Sequence, residues 1–318
     1  MKSNNITPTV ESGLIIAIAV ILGLISTYLP VIGTVVDFFW ALPFAVLSAK
    51  LGIRKATFAL IATIILLSMF IGPVLTIRLA LSFGFAGLAI GFSIQKQFSA
   101  VKIFMLTLIV SFTSQIIAMA LLFFVMDINF MDTQIEVVKE SFEESFALYE
   151  SLGVEPSQIE QAKAQMEPAI SLMRVLMPTL LLFMALINTI ICFYTTKWFF
   201  PRIGLHIAEF PPFSTWRFPI AFFYLMVLAL LGLYWGSTRN LNLLYTVSIN
   251  ANILALIVGF IQGLSVLSFV ANKFNMSKLV RRLIFVIIIL NFMLVQIIAF
   301  TGLFDMFFDY RRRFSDRK

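Results

Sequence analysis

The stretch DINFMDTQIEVVKESFEESFALYESLGVEPSQIEQAKAQME, residues 127–167, is the one long polar segment in an otherwise apolar chain. It carries ten acidic residues (Asp127, Asp132, Glu136, Glu140, Glu143, Glu144, Glu150, Glu155, Glu160 and Glu167) against two lysines, Lys139 and Lys163. Its charge is therefore −8 in a chain whose formal net charge is +7. Ile135, Val138, Phe142, Phe146, Tyr149 and Leu152 recur at steps of three or four, which puts an apolar stripe opposite the acids of a helix. Gly153 is a helix stop and Pro156 a restart, so the island reads as a helical hairpin.

Outward from the island, everything is built for lipid. The 318 residues are 60% hydrophobic and 12% charged, with a mean hydropathy of +0.99. Soluble domains run to about 45–50% apolar and about 25% charged. A membrane span needs roughly 20 apolar residues. Nine runs qualify: 13–29, 34–49, 56–72, 74–95, 102–126, 168–198, 218–236, 241–271 and 280–303. The uninterrupted runs lack the alternation of a barrel, so the fold class is all-α, a polytopic helical membrane protein of about nine spans, range 8–10. Two parts follow: a six-helix bundle over 1–199 that includes the hairpin, and C-terminal helices with a basic tail over 200–318. The apolar run behind Lys2 ends without a small-x-small cleavage site and reads as a retained first span.

Prolines punctuate the runs. Pro30 ends the first span, Pro73 opens the fourth and Pro168 suits the first turn of the sixth, while Pro43 and Pro178 fall inside spans and are expected to kink them. With a cytoplasmic N-terminus, 13 of the 23 basic residues fall in inner connections and the island falls outside, as the positive-inside rule requires. That spread over short connections is not a nucleic-acid signal. Nine full spans, however, leave Arg311, Arg312, Arg313, Arg317 and Lys318 outside, so either one late segment does not cross or the rule is broken there.

Ionisable groups inside a bilayer are costly and normally face a bundle interior or a cavity. Asp37 lies near the start of the second span. Arg78 lies about 7.5 Å beyond Pro73 and Arg174 about 9 Å beyond Pro168, at 1.5 Å per helical residue. All three helices start at the outer face, so the charges reach similar depth. Trp40, one turn after Asp37, and Gln115 in the fifth span complete a candidate ligand-binding set of Asp37, Trp40, Arg78, Gln115 and Arg174, lying under the hairpin. The same charges can instead snorkel to outer headgroups or sit in the interface. Small residues at Gly13 and Ala17, Ala19 and Gly23, and Ala80, Gly84, Gly87 and Gly91 allow close helix approach, for internal packing or for a partner protein.

Catalytic patterns are missing. His206 has no Cys or His companion at metal spacing, and no HExxH, GxSxG or GxxxxGK[ST] occurs, so no enzyme, metal or cofactor is called. Cys192, inside the sixth span, reads as a buried apolar filler.

Three late stretches, PPFSTWRFP at 211–219, QGL at 262–264 and GLFDMFFDYRRR at 302–313, resemble the YybS-like family of bacterial membrane proteins over nearly the whole chain. That family implies a bacterial plasma membrane but no reaction. The first six spans are similar to the substrate-binding S-component of energy-coupling factor transporters in helix number, N-terminal side and small-residue spacing. That likeness implies a solute-binding membrane subunit working with a separate coupling protein and ATPases. The competing reading is a non-transporting scaffold of the cell envelope, for which the lipid bilayer is the one assured partner.

Overall fold

The computed structural model describes residues 8–315 apart from Pro30 and Ile128. The readings placed on Lys2, Pro30, Arg317 and Lys318 lie outside the described residues. Among the described residues every regular element is a helix or helical turn. Eight helical stretches among the described residues are long and apolar enough to cross a membrane, with a bent pair as a ninth if it crosses. The protein is an all-α multi-span membrane protein.

The chain forms two compact units. One holds the described residues up to 166 together with Leu180–Glu209, and the other holds Glu167–Thr179 and residues from Phe210 onward. The expected division at 199/200 thus falls ten residues early and misses a thirteen-residue piece of the long helix that belongs to the second unit.

In the first unit, α1 (Pro8–Tyr28) is followed by a short α2 (Ile32–Asp37) and by α3 (Ala41–Leu51). The span expected at 34–49 is present as one apolar stretch, Ile32–Leu51, with its α-helix interrupted by a turn at Phe38, Phe39 and Trp40. Pro43 cannot donate to the Phe39 carbonyl four residues back, and that carbonyl accepts from Leu42 N instead (3.0 Å). Phe38, Phe39 and Trp40 likewise bond three residues back, to Val35, Val36 and Asp37. Pro43 itself lies in the first turn of α3 rather than mid-span. Next come α4 (Ile53–Ile71), α5 (Pro73–Leu79), a π-helical turn (Ala80–Gly84), α6 (Phe85–Gln95) and α7 (Ala100–Met126).

Burial of Trp40, Phe44, Leu47, Leu60, Leu67 and Leu79 builds the core of this unit. Gly87 and Gly91 let α6 lie against the α3 backbone: a Cβ at either would meet the Ala41 or Ala45 carbonyl. Gly23 similarly faces the Leu67 side chain, so most of the small-residue pattern serves internal packing. Gly13 has open space around its Cβ position.

The acidic island is a hairpin of α8 (Phe130–Ser151) and the first turns of α9 (Pro156–Phe199), with Gly153 at φ 78° between them. Ile135 and Phe146 of the apolar stripe are buried, whereas Tyr149 and Leu152 are exposed. Lys163 on the second arm pairs with Glu150 (3.3 Å) and lies over the Phe146 ring. The sixth span does not start at Pro168. Instead, α9 runs unbroken for 44 residues, about 66 Å at the helical rise, with Pro168 and Pro178 inside it.

In the second unit, α10 (Ala221–Thr238) and α11 (Asn242–Lys273) form an antiparallel hairpin. Gly232 faces Ser248, Gly236 faces Tyr245, and Phe218 N donates to Gln262 Oε1 (3.1 Å). The chain continues through α12 (Lys278–Leu290), α13 (Phe292–Phe308) and α14 (Tyr310–Ser315). The ninth run expected at 280–303 is thus two helices bent by 107°. Gly302 packs so closely on α11 that a Cβ there would strike the Gly259 carbonyl and the Gly263 nitrogen. The pair starts just past the end of α11 and ends where Asp309 pairs with Arg217 (3.0 Å). Both ends therefore lie at the end of the unit where the segment before α10 lies.

Candidate functional site

The break after α2 aims Asp37 inward. The α5 helix, opened by Pro73, carries Arg78 toward the same place, and α7 brings Gln115. The three line one cleft of about 340 Å³ together with Ser82 of the π-turn and Asn188 of α9. Phe38, Leu79, Phe83, Met184, Ile187 and Ile191 make its apolar wall. All of these residues belong to the first unit.

The polar groups of the cleft differ in how fully they are engaged. Ser26 Oγ donates to Asp37 Oδ1, holding the carboxylate in place. Asp37 Oδ2 faces Arg78 Nη2 at 3.9 Å. The Asp37 side chain is 16% exposed and that of Arg78 65%. Charge-assisted N–H···O bonds close to about 2.7–2.9 Å, so this pair is open by roughly an ångström.

The two amides are taken up by backbone. Asn188 Nδ2 donates to the carbonyl of Ser82 in the π-turn (2.6 Å), and Asn188 Oδ1 accepts from Cys192 Sγ (3.1 Å). Single π-turns inside α-helices are frequent at functional sites. Gln115 stands between the Leu181 carbonyl (3.0 Å) and the Ala185 N–H (3.2 Å), in the amide orientation that satisfies both. The Asp37 carboxylate and the Arg78 guanidinium are the charged groups of the cleft.

Three of the five candidate residues thus come together: Asp37, Arg78 and Gln115. Trp40 does not reach the cleft. It is fully buried, its indole N–H donates to the Ala19 carbonyl (2.9 Å) and its ring packs on Phe44. Arg174 lies on the α9 segment of the second unit and does not line the cleft. His206 is exposed, and among the described residues no group of three His, Cys, Asp or Glu side chains could hold a metal.

Two polar centres in the second unit escaped the charge-based reading. At the first, Asn250 of α11 is inserted against α9 just after Pro178. Its Oδ1 accepts from Thr179 N (3.0 Å) and Oγ1 (2.6 Å), and its Nδ2 donates to the Val175 carbonyl (2.7 Å). In a regular turn, Thr179 N–H and Val175 C=O bond each other.

The second centre draws in all three stretches that carry the family resemblance. Arg311, 3% exposed, donates to the Ser214 carbonyl (2.7 Å), the Trp216 carbonyl (2.8 Å) and Ser265 Oγ (3.0 Å). Its Nε lies 3.5 Å from Asp305 Oδ2, which also accepts from Gln262 Nε2 (2.6 Å). A Gln and an Asp in apolar runs were the only sequence signal of this knot. Beside it, the Asp309 carboxyl feels some upward push from burial, but the Arg217 hydrogen bond, the Arg312 N–H and both guanidinium charges hold it below its ordinary value.

A family model described as "Predicted membrane protein (DUF2232)" matches residues 17–306. The curated "Uncharacterized protein YybS" of Bacillus subtilis (strain 168) is 23% identical over 321 residues, covering 95% of this chain and 97% of that protein. No solved structure matches.

Proposed function

We propose that this chain, which belongs to the DUF2232 family of predicted membrane proteins, is a transporter-type subunit that binds a small solute in the cleft of its first unit. Separate membrane coupling and ATPase proteins supply the energy, since the chain carries no phosphate-binding loop of its own. The observation that carries the reading is the convergence of Asp37, Arg78 and Gln115, from three separate helical elements, on one partly apolar cleft. Ligand sites are typically concave and mostly apolar, with a few convergent polar groups. The S-component likeness of the first six spans adds a fold-level analogy.

The scaffold reading draws on the same pair, because Asp37 and Arg78 can simply neutralise each other. Purification in mild detergent, with mass spectrometry of co-purifying small molecules and proteins, separates the two. A solute retained by the native chain and lost from Arg78→Gln supports transport, whereas finding neither solute nor ATPase supports the scaffold.

The reading places the protein in a bacterial plasma membrane with a cytoplasmic N-terminus and the α8–α9 hairpin outside. In the second unit Arg217, Lys273, Lys278, Arg281, Arg282 and the start of the tail gather at one end, while Arg239 stands at the turn between α10 and α11. Positive-inside charge bias makes the crowded end cytoplasmic. The α12–α13 pair then enters and leaves on that face as a re-entrant hairpin, and the tail is cytoplasmic. This resolves the conflict of nine full spans in favour of a late segment that does not cross.

A further inference from the structure

We infer that the solute of this cleft is a small amphiphilic zwitterion, one ammonium and one carboxylate on an apolar body. The inference rests on the solute-binding reading and names the ligand class for the same site. The charged groups of the cleft are one carboxylate and one guanidinium, so its lining is neutral overall. A lone anion would leave Asp37 facing it, and a lone cation would leave Arg78 facing it. Each mismatch places like charges together in a partly desolvated site.

A zwitterion satisfies both groups. Its carboxylate meets the planar fork of Arg78, the geometry guanidinium groups favour, and its ammonium meets Asp37 Oδ2. The 3.9 Å gap between the two side chains is the loose state such a ligand would open, replacing one long ion pair by two short ones. Ser26 keeps Asp37 oriented while this happens. Most of the remaining lining is apolar, including Phe83, Met184, Ile187 and Ile191, which suit an aliphatic or aromatic body. A volume of about 340 Å³ sits near the small end of ligand sites, roughly 300–1,000 Å³, and fits an amino-acid-sized molecule.

The test measures binding to the full chain in lipid nanodiscs, by calorimetry, for leucine and two analogues that each lack one charge, 3-methylbutylamine and 4-methylpentanoate. Leucine is expected to bind at least about tenfold tighter than either analogue, since each analogue lacks one of the two charge contacts. In Asp37→Asn the acid should bind as well as leucine, and in Arg78→Gln the amine should. The wild-type comparison stands even if a variant fails to fold. Equal binding of leucine and either analogue to the native chain overturns the zwitterion assignment and leaves the solute-binding reading intact. So does a co-purifying solute of another charge class with no leucine binding. If neither leucine, its analogues nor any co-purified molecule occupies the cleft, both readings fall.

Discussion

Replacing Arg311 by Met should unfold the C-terminal unit far more easily than loss of a surface charge would. Arg311 and Asp305 are each 3% exposed, and Arg311 donates three hydrogen bonds while standing 3.5 Å from the carboxylate. Removing it leaves the Ser214 carbonyl without its donor, leaves the Trp216 carbonyl only the longer bond from Ser265 Oγ (3.1 Å), and leaves Asp305 buried with only Gln262 as a bonded partner. Breaking one side of a buried ion pair costs about 3–5 kcal/mol, chiefly through the uncompensated charge. Asp305→Leu should cost a similar amount for the opposite charge. The double variant Arg311→Met/Asp305→Leu removes both charges and should lose roughly 1–3 kcal/mol, from the partners left at Ser214 and Gln262. The two single losses would then exceed the double by at least about 3 kcal/mol, the mark of direct coupling. Equilibrium unfolding in mixed micelles, followed by the fluorescence of Trp216 beside the knot, gives all three values. A loss below about 1 kcal/mol for Arg311→Met, or single losses that simply add, would show that the knot does not hold this end of the unit.

Four further outcomes follow from other contacts. Gly302→Leu drives a side chain into the α11 backbone, which cannot yield as a side chain does, and should cost more than the roughly 1–3 kcal/mol of ordinary overpacking; Gly13→Ala, in open space, should leave the melting temperature unchanged. Asn250→Ala strips Val175 and Thr179 of their side-chain partners beside Pro178 and should cost on the order of 1–2 kcal/mol in the same unfolding assay. Asp309 is held below its ordinary 3.8, so its pairing contributes stability above that pH and loses it as pH falls through the lowered folded value. Asp309→Asn should therefore be less stable than wild type at neutral pH and should close that gap on acidification. For topology, a cysteine placed at Asn275 or Arg312 in a Cys192→Ala background should react with an impermeant maleimide only from the cytoplasmic side, and one at Arg239 only from outside.

Helix existence and the converging charges were readable one residue at a time, because the bilayer makes apolar length and buried charge expensive locally. Counting residues from Pro73 brought Arg78 to the level of Asp37, and the cleft contains both. The same counting failed for Trp40, whose large ring is drawn into the core against Phe44, with its indole N–H on the Ala19 carbonyl. It also misread Pro168 as a start. Composition alone does not reveal that α9 runs on through Pro168.

The amino-acid sequence by itself determined a multi-span helical protein with an acidic hairpin, since hydropathy, charge and helical period are properties of short windows. Only the tertiary structure decided which polar residues are committed and which are free. Asn188, Gln115 and Asn250 look like binding groups in a list of residues, yet each bonds backbone across a helix contact. Arg311 looks like one more charge on a basic tail, yet it is buried against a loop nearly one hundred residues earlier. Such pairings depend on long-range packing of apolar helices that no local pattern specifies. That packing also turned the acidic island's second arm into the start of a single long helix, α9, which carries Asn188 into the cleft.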